Sequence, residues 1–218
     1  MARRKEIEAG KPCVNPVVTI SRGMGTGARI IARKLAQDLG WSLWDKELLD
    51  AIAENADVSK RVVEAFDERT MSEIEVFARS ALGDYELGGF LYGKYLARAI
   101  ATVAKLGNAI ILGRGANLLL PNALAIRIDA SDERRIQNMM SYESLTRHEA
   151  EAKIRASDRE RRDFLVRMFG RERVEQVHYD LTLWMDQFHT DDAVEIIKTA
   201  IGAWCRRAAA DRSTDEHG

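Results

Sequence analysis

The chain has 218 residues, 46% hydrophobic and 31% charged, with a formal net charge of -1. That length suits one large α/β domain, and the near-neutral balance excludes a polycation built to coat nucleic acid. No apolar run approaches the roughly 20 residues that span a bilayer, and the two cysteines, Cys13 and Cys205, form neither a disulfide framework nor a metal-ligand spacing, which points to a cytoplasmic protein.

The first residues, MARRKEIEAGKP, lack the apolar core of a signal peptide, and 1–14 read as a mobile tail. The run VVTI, 17–20, is β-branched throughout, as in a strand buried on both faces. Gly23, Gly25 and Gly27 punctuate a turn, and a helix follows to about Leu39, where Gly40 stops it. WSLW, 41–44, predicts a second strand ending at Asp45. Helical stretches come next, broken near 57–59 and 83–84, and GFLYGKYLARAIATVAKLG is helical as far as Gly107. NAIILGRG, 108–115, predicts a third strand running into a loop, and ALAIRIDA, 123–130, a fourth. Ser131 caps the helix after it, with Asp132 and Glu133 in the first turn as the dipole favours. Thr146 and Glu149 form a capping box for another helix. YDLTLWMD, 179–186, predicts a fifth strand, Thr190 caps the last helix, and 206–218 read as a frayed tail.

Strands alternating with helices imply a parallel sheet with right-handed crossovers, hence a single doubly wound domain over 15–205. Ligands in such folds bind beyond the carboxyl ends of the strands. The loops after Ile20, Trp44, Leu112 and Asp129 are therefore the candidate site.

A strand feeding a glycine loop and then a helix aims free amides at one point, and glycine lets that backbone approach an anion. The P-loop spacing G-x-x-x-x-G-K-[ST] does not match here: with Gly27 as its second glycine, Ala28 takes the place of the lysine and Arg29 that of the hydroxyl residue. Gly23-x-Gly25-x-x-Ala28 does fit the dinucleotide pattern, with Asp45 20 residues after Gly25, where a ribose-binding acid would stand. That spacing leaves a nicotinamide-dependent oxidoreductase as a rival reading. Arg22 and Arg29 flank the glycines, and a guanidinium forks onto two phosphate oxygens. Residues 153–173 hold eight Lys or Arg against four Asp or Glu, too few acids to pair them, so the segment is expected to meet a polyanion. Asp158, Arg161 and Arg162 are helical neighbours, and Arg155 and Arg159 are expected close to the same face. Such a helix suits a lid over transferring phosphoryl groups. Arg114 follows a buried strand and is expected to contact a ligand, with Asp45 either binding that ligand or holding Arg114. The four histidines are scattered and imply no metal site.

Taken in order, TISRGMGTGARIIARKLA, WDKELL, ILGRGANLLLPNALAIRIDASDERRI, SDRERRDFLVRMFG and YDLTLWMDQFHTDDAVEII resemble the cytidylate kinase-like family of P-loop nucleoside monophosphate kinase relatives, from about Val17 to Ile201. The family's glycine loop begins with Ser-Arg and lacks the usual lysine, as Ser21, Arg22 and Ala28 do here. The resemblance implies a three-layer P-loop kinase-like fold with a five-stranded parallel sheet, an arginine-rich lid over about 146–173, and Mg-ATP as phosphoryl donor. It implies transfer to a nucleoside monophosphate such as CMP or dCMP. The donor phosphates would lie on Ser21, Gly23, Gly25, Thr26 and Gly27, with Arg22 or Arg29 in the lysine's role. The acceptor would meet Asp45, Arg114, Gly115, Arg155 and Arg159, and Asp158, Arg161 and Arg162 would act from the lid. Ser21 or Asp129 would reach Mg²⁺ through water. The family's Gly-Arg-Asp is here Gly113-Arg114-Gly115. With the lysine, the hydroxyl and that acid all missing, a nucleotide-binding sensor that does not catalyse is the alternative. Nucleotides are the expected partners, and the aromatic-rich segment 85–96 is a candidate homodimer interface.

Overall fold

The computed structural model describes residues 16–54, 67–82 and 91–215. The expected tail at 1–14 and both helix breaks lie outside the described residues. Five strands form one all-parallel sheet: β1 (Val17–Arg22), β2 (Ser42–Trp44), β3 (Ala109–Leu112), β4 (Leu124–Asp129) and β5 (Leu181–Trp184). Their order is β2-β3-β1-β4-β5. The expected doubly wound α/β sheet is the one found. β1 lies at its centre, and the connection leaving β1 runs to one edge while that leaving β4 runs to the other. The two loops diverge and leave a crevice at the carboxyl ends of these neighbours.

Helices cover both faces because the central strands are apolar on both. Val18 and Ile20 pack with the face that α1 (Ala28–Leu39) and α9 (Thr190–Asp215) cover. Ala28, Ile31, Ala32, Leu35 and Ala36 give α1 one buried stripe. Val17, Ala109 and Ile111 face the other layer, built by α2 (Lys46–Ala53), α4 (Leu91–Leu106) and the short α5 (Ala116–Leu119). The remaining helices are α3 (Glu68–Leu82), α6 (Asp132–Glu143), α7 (Arg147–Phe169) and α8 (Arg171–Glu175). Helix α7 crosses above the carboxyl ends of the strands, and Met168 and Phe169 at its end join the second core. None of the described helices is long and apolar enough to cross a membrane.

Several boundaries differ from the sequence expectation for local reasons. Trp41 is not in β2, because its amide donates to the Ala36 carbonyl (2.9 Å) and completes the α1 cap. β5 is shorter than 179–186: the Asp180 carboxylate accepts from the Ala125 amide before it, and the Asp186 carboxylate accepts from the Ser131 amide after it. α9 continues to Asp215, so 206–215 are helical rather than frayed. The run Arg-Arg-Ala-Ala-Ala has high helix propensity and sustains it. In the described part of segment 85–96, Tyr92 and Tyr95 are partly buried against the core and Lys94 is exposed.

Candidate active site

The crevice is a cleft of about 1640 Å³ lying between the glycine loop, α2, the β3 loop and α7. Its floor is the turn from β1 into α1. Gly25 and Gly27 both have φ near +80°, and the amides of residues 24–29 donate to no acceptor among the described residues. Successive amides on left-handed residues form a concave anion site, and the first turn of α1 adds its dipole. Thr26 is buried and its hydroxyl donates to the Gly23 carbonyl (3.0 Å), so its side chain braces the loop from inside. The Ser21 hydroxyl donates to Asn117 on α5 (3.2 Å).

Arg135, on α6, crosses over this loop, and sequence reasoning missed it. Its Nε donates to the Met24 carbonyl (2.7 Å), and its terminal nitrogens reach Asp158 (2.5 Å) and Asp132 (3.3 Å). Asn138, one turn on, donates to the Gly25 carbonyl (2.7 Å). A Cβ at Gly25 would lie 2.6 Å from the Arg135 carbonyl oxygen, so this glycine answers both to its dihedral and to a helix laid against it. The signal in sequence was Ser131, whose cap starts α6 beside the loop.

Arg22 ends β1 with its guanidinium against Gly113, 3.1 Å from where a Cβ would stand there. It makes no ion pair or hydrogen bond with any described residue. Burial, and then repulsion from Arg161, lower its pKa to about 10. Arg161, on α7, is lowered too, by burial first, while Asp158 (3.1 Å) works the other way and Arg135 and Arg127 repel it. Asp158 thus serves two guanidiniums, while Arg22 is ion-paired to no acid among the described residues and feels Glu47 and Asp45 only at a distance.

The other expected residues fall into two groups. Arg162 lines the cleft edge and reaches Glu175 (3.8 Å). Arg29 also lines it, with its guanidinium held by Asp45 (2.7 Å) and Glu47 (3.0 Å). Asp45 itself does not line the cleft and does not hold Arg114. It is the N-cap of α2, accepting from the Leu48 amide (3.2 Å) and from Arg29. Partial burial opposes its charge, but these bonds outweigh burial and hold its carboxyl below the usual range. The acid that the dinucleotide reading needs on a ribose is thereby committed elsewhere. Arg155 and Arg159 do not line the cleft either. On α7 each residue advances about 100°, and the face carrying Ile154, Asp158 and Arg161 leaves these two in solvent, Arg155 with its side chain 63% exposed beside Glu151.

Arg114 does line the cleft, with an unexpected partner. Its Nε donates to Asp50 Oδ1 (2.6 Å) and its Nη2 to Asp50 Oδ2, while its Cζ lies over the Phe164 ring of α7, 4.4 Å from the ring centre. Gly115 explains why no acid follows this arginine. Its φ is +67°, and a Cβ would come within 2.3 Å of the buried Phe169 ring. Gly115→Ala is expected to destabilise the fold by about 2–4 kcal/mol, summing the left-handed penalty and overpacking, and urea unfolding measures it. A variant as stable as the parent would show that Phe169 yields freely. Arg127 and Asp129, paired at 2.6 Å, complete the wall on the β4 side.

A family model described as the cytidylate kinase-like family matches residues 17–187. No curated protein matches the chain. Among solved structures it is similar to an uncharacterized protein from Eubacterium ventriosum ATCC 27560, at 20% identity and a TM-score of 0.56, over 86% of this chain and 98% of that one. TT1252 from Thermus thermophilus (19% identity, TM-score 0.47, covering 86% and 96%) and a shikimate kinase from Bacteroides thetaiotaomicron (14%, 0.47, covering 86% and 98%) are more distant. At such identities the first likeness speaks for the fold alone.

Proposed function

Because the chain belongs to the cytidylate kinase-like family, we propose that it transfers the terminal phosphoryl group of ATP to a small anionic acceptor, a nucleoside monophosphate such as CMP. The observation that carries this reading is Arg22. A half-buried guanidinium with no ion-pair partner, beside amides with no acceptor among the described residues, suits a bound polyphosphate. The amides of residues 24–29 cradle the donor phosphates, and Arg22 supplies the charge that a P-loop lysine supplies elsewhere. Arg114 grips the acceptor anion from the β3 loop. Arg161 and Arg162 come from the lid onto the transferring group, and Asp158 keeps Arg161 and Arg135 in register. Phosphoryl transfer asks for positioning and charge stabilisation more than covalent help, which this cleft provides. Helix α7 excludes water, so ATP is not hydrolysed instead.

No cluster of three acidic, histidine or cysteine residues forms a cage for a cation among the described residues. Mg²⁺ would be carried mainly by phosphate oxygens and water, with Asp129, one of the cleft carboxylates and already paired with Arg127, the residue that would meet it and the ion offsetting charge on the phosphates. The missing lysine and hydroxyl favour a second reading, a sensor that binds nucleotide without turnover. A coupled ADP-release assay with Mg-ATP and a panel of nucleoside monophosphates separates the two. Acceptor-dependent ADP release is the expected result. Calorimetric ATP binding with no turnover on any acceptor supports the sensor.

A further inference from the structure

We propose that Asp50, on α2, is the positioning residue that sets Arg114 as the anion clamp of the acceptor site. The inference rests on the reading of Arg114 as the acceptor's contact. Asp50 does not line the cleft, so it acts through Arg114.

A guanidinium has two edges that can grip an oxyanion pair. Asp50 takes the Nε–Nη2 edge with both of its oxygens. Among the described residues Nη1 has no partner, so the Nη1–Nη2 edge is left for a ligand. The side chains of this pair are 14% and 17% exposed, enough desolvation to hold one geometry. Tyr92 donates its hydroxyl to the same Asp50 Oδ1 (2.6 Å) and meets Phe164 edge-on, and Phe164 covers the guanidinium plane. Arg114 is thus held at one edge by α2 and on its face by the lid. The backbone has to cooperate, since Arg114 sits at φ +53°, a left-handed conformation that a non-glycine residue keeps only when its surroundings fix it.

A side chain at position 115 is barred by Phe169, and the carboxylate that holds Arg114 comes from 64 residues away. Among the described residues its carboxylate accepts from the arginine and Tyr92 alone, so its effect on an acceptor is to aim the clamp. A residue that aims one ligand's clamp changes that ligand's affinity and leaves the other ligand's alone.

The test is a calorimetric cycle on the full chain. ATP and CMP are titrated into wild type, Asp50→Asn, Arg114→Gln and the double variant. Asp50→Asn is expected to weaken CMP about 10- to 100-fold and ATP by less than about twofold, with kcat at saturating CMP nearly kept. The double variant should lose no more than Arg114→Gln alone, because both changes remove one device. Unchanged CMP affinity in Asp50→Asn, equal losses of CMP and ATP, or multiplied losses in the double variant overturn the proposal. Asp50→Glu keeps the charge and moves it. It is expected to weaken CMP severalfold with ATP unchanged, and it decides the matter if Asp50→Asn does not fold; unchanged CMP affinity there overturns the proposal. Wild type that binds ATP but no nucleoside monophosphate defeats the acceptor reading instead. The cycle is then read with inorganic phosphate, where the same dependence on Asp50 and Arg114 upholds the clamp and indifference to both overturns it.

Discussion

Arg22→Met is expected to lower kcat/KM for phosphoryl transfer by about 10³-fold and, in the same molecule, to raise stability by about 1–2 kcal/mol. The two effects have one cause. Among the described residues Arg22 is a desolvated cation with no ion-pair partner, and repulsion from Arg161 comes ahead of the attraction from Glu47 and Asp45. Its folded pKa of about 10 lies below the usual arginine value, so its charge costs folding free energy at neutral pH. The sign is that of a base whose pKa falls on folding: the cost is present at pH 7 and is relieved as pH climbs through 10. The nominal shift converts to more than 3 kcal/mol, but residual solvent contact and a methionine that fills the space imperfectly reduce what stability measurements will find. Arg29→Met makes the contrast. Arg29 is half exposed and already paired with Asp45 and Glu47, so its loss should cost far less activity and gain no stability. Equilibrium unfolding and initial rates on both variants are the measurements. An Arg22→Met protein that melts below wild type would mean an undetected partner for the guanidinium, and one that keeps its rate would remove Arg22 from the chemistry.

What was legible in the sequence is what short spacing determines. The buried β1, the glycine turn into α1, the Ser131 cap and the complete Thr146–Glu149 capping box are each set within a few residues, and each is present. Charge surplus over 153–173 also pointed to a helix at the cleft, and α7 is there. Which arginines of that helix face inward was not legible, because Arg155, Arg159 and Arg161 differ only by rotation, and the rotation is chosen by Ala150 and Ile154 packing against α6. The partners that matter most are remote. Arg135 meets Met24 across 111 residues, and Arg114 meets Asp50 across 64. Nothing local in the sequence marks Asp50 as the partner of a residue on another loop. Asp45 is different, since its cap was readable: an acid opening a helix, with Glu47 in the first turn, is first a cap and only then a ligand.

Arg135→Ala is expected to remove about 3 kcal/mol of stability and to abolish ATP binding at millimolar concentrations. The side chain is 9% exposed and gives three hydrogen bonds, to Met24, Asp132 and Asp158. Truncation orphans the Met24 carbonyl, which costs about 1–3 kcal/mol. It also strips Asp158 of one partner, but Asp158 is 38% exposed and keeps Arg161, so that part falls well below the 3–5 kcal/mol of a fully buried broken pair. The effect on ligand exceeds the effect on fold because, among the described residues, the amides of 24–29 have no acceptor and the carbonyls of Gly23, Met24 and Gly25 are held by the Thr26, Arg135 and Asn138 side chains. Free of Arg135, the amides no longer point at one spot, and preorganised donors are what make such a cradle bind. Arg135→Lys preserves the charge and the stem but not the fork. It is expected to cost about 1–2 kcal/mol and to weaken ATP about 10-fold, which keeps the idea testable if the alanine variant does not fold. Calorimetry of ATP alongside urea unfolding gives both readings. A lysine variant with full ATP affinity would show that the turn keeps its shape by itself and that α6 merely rests against it.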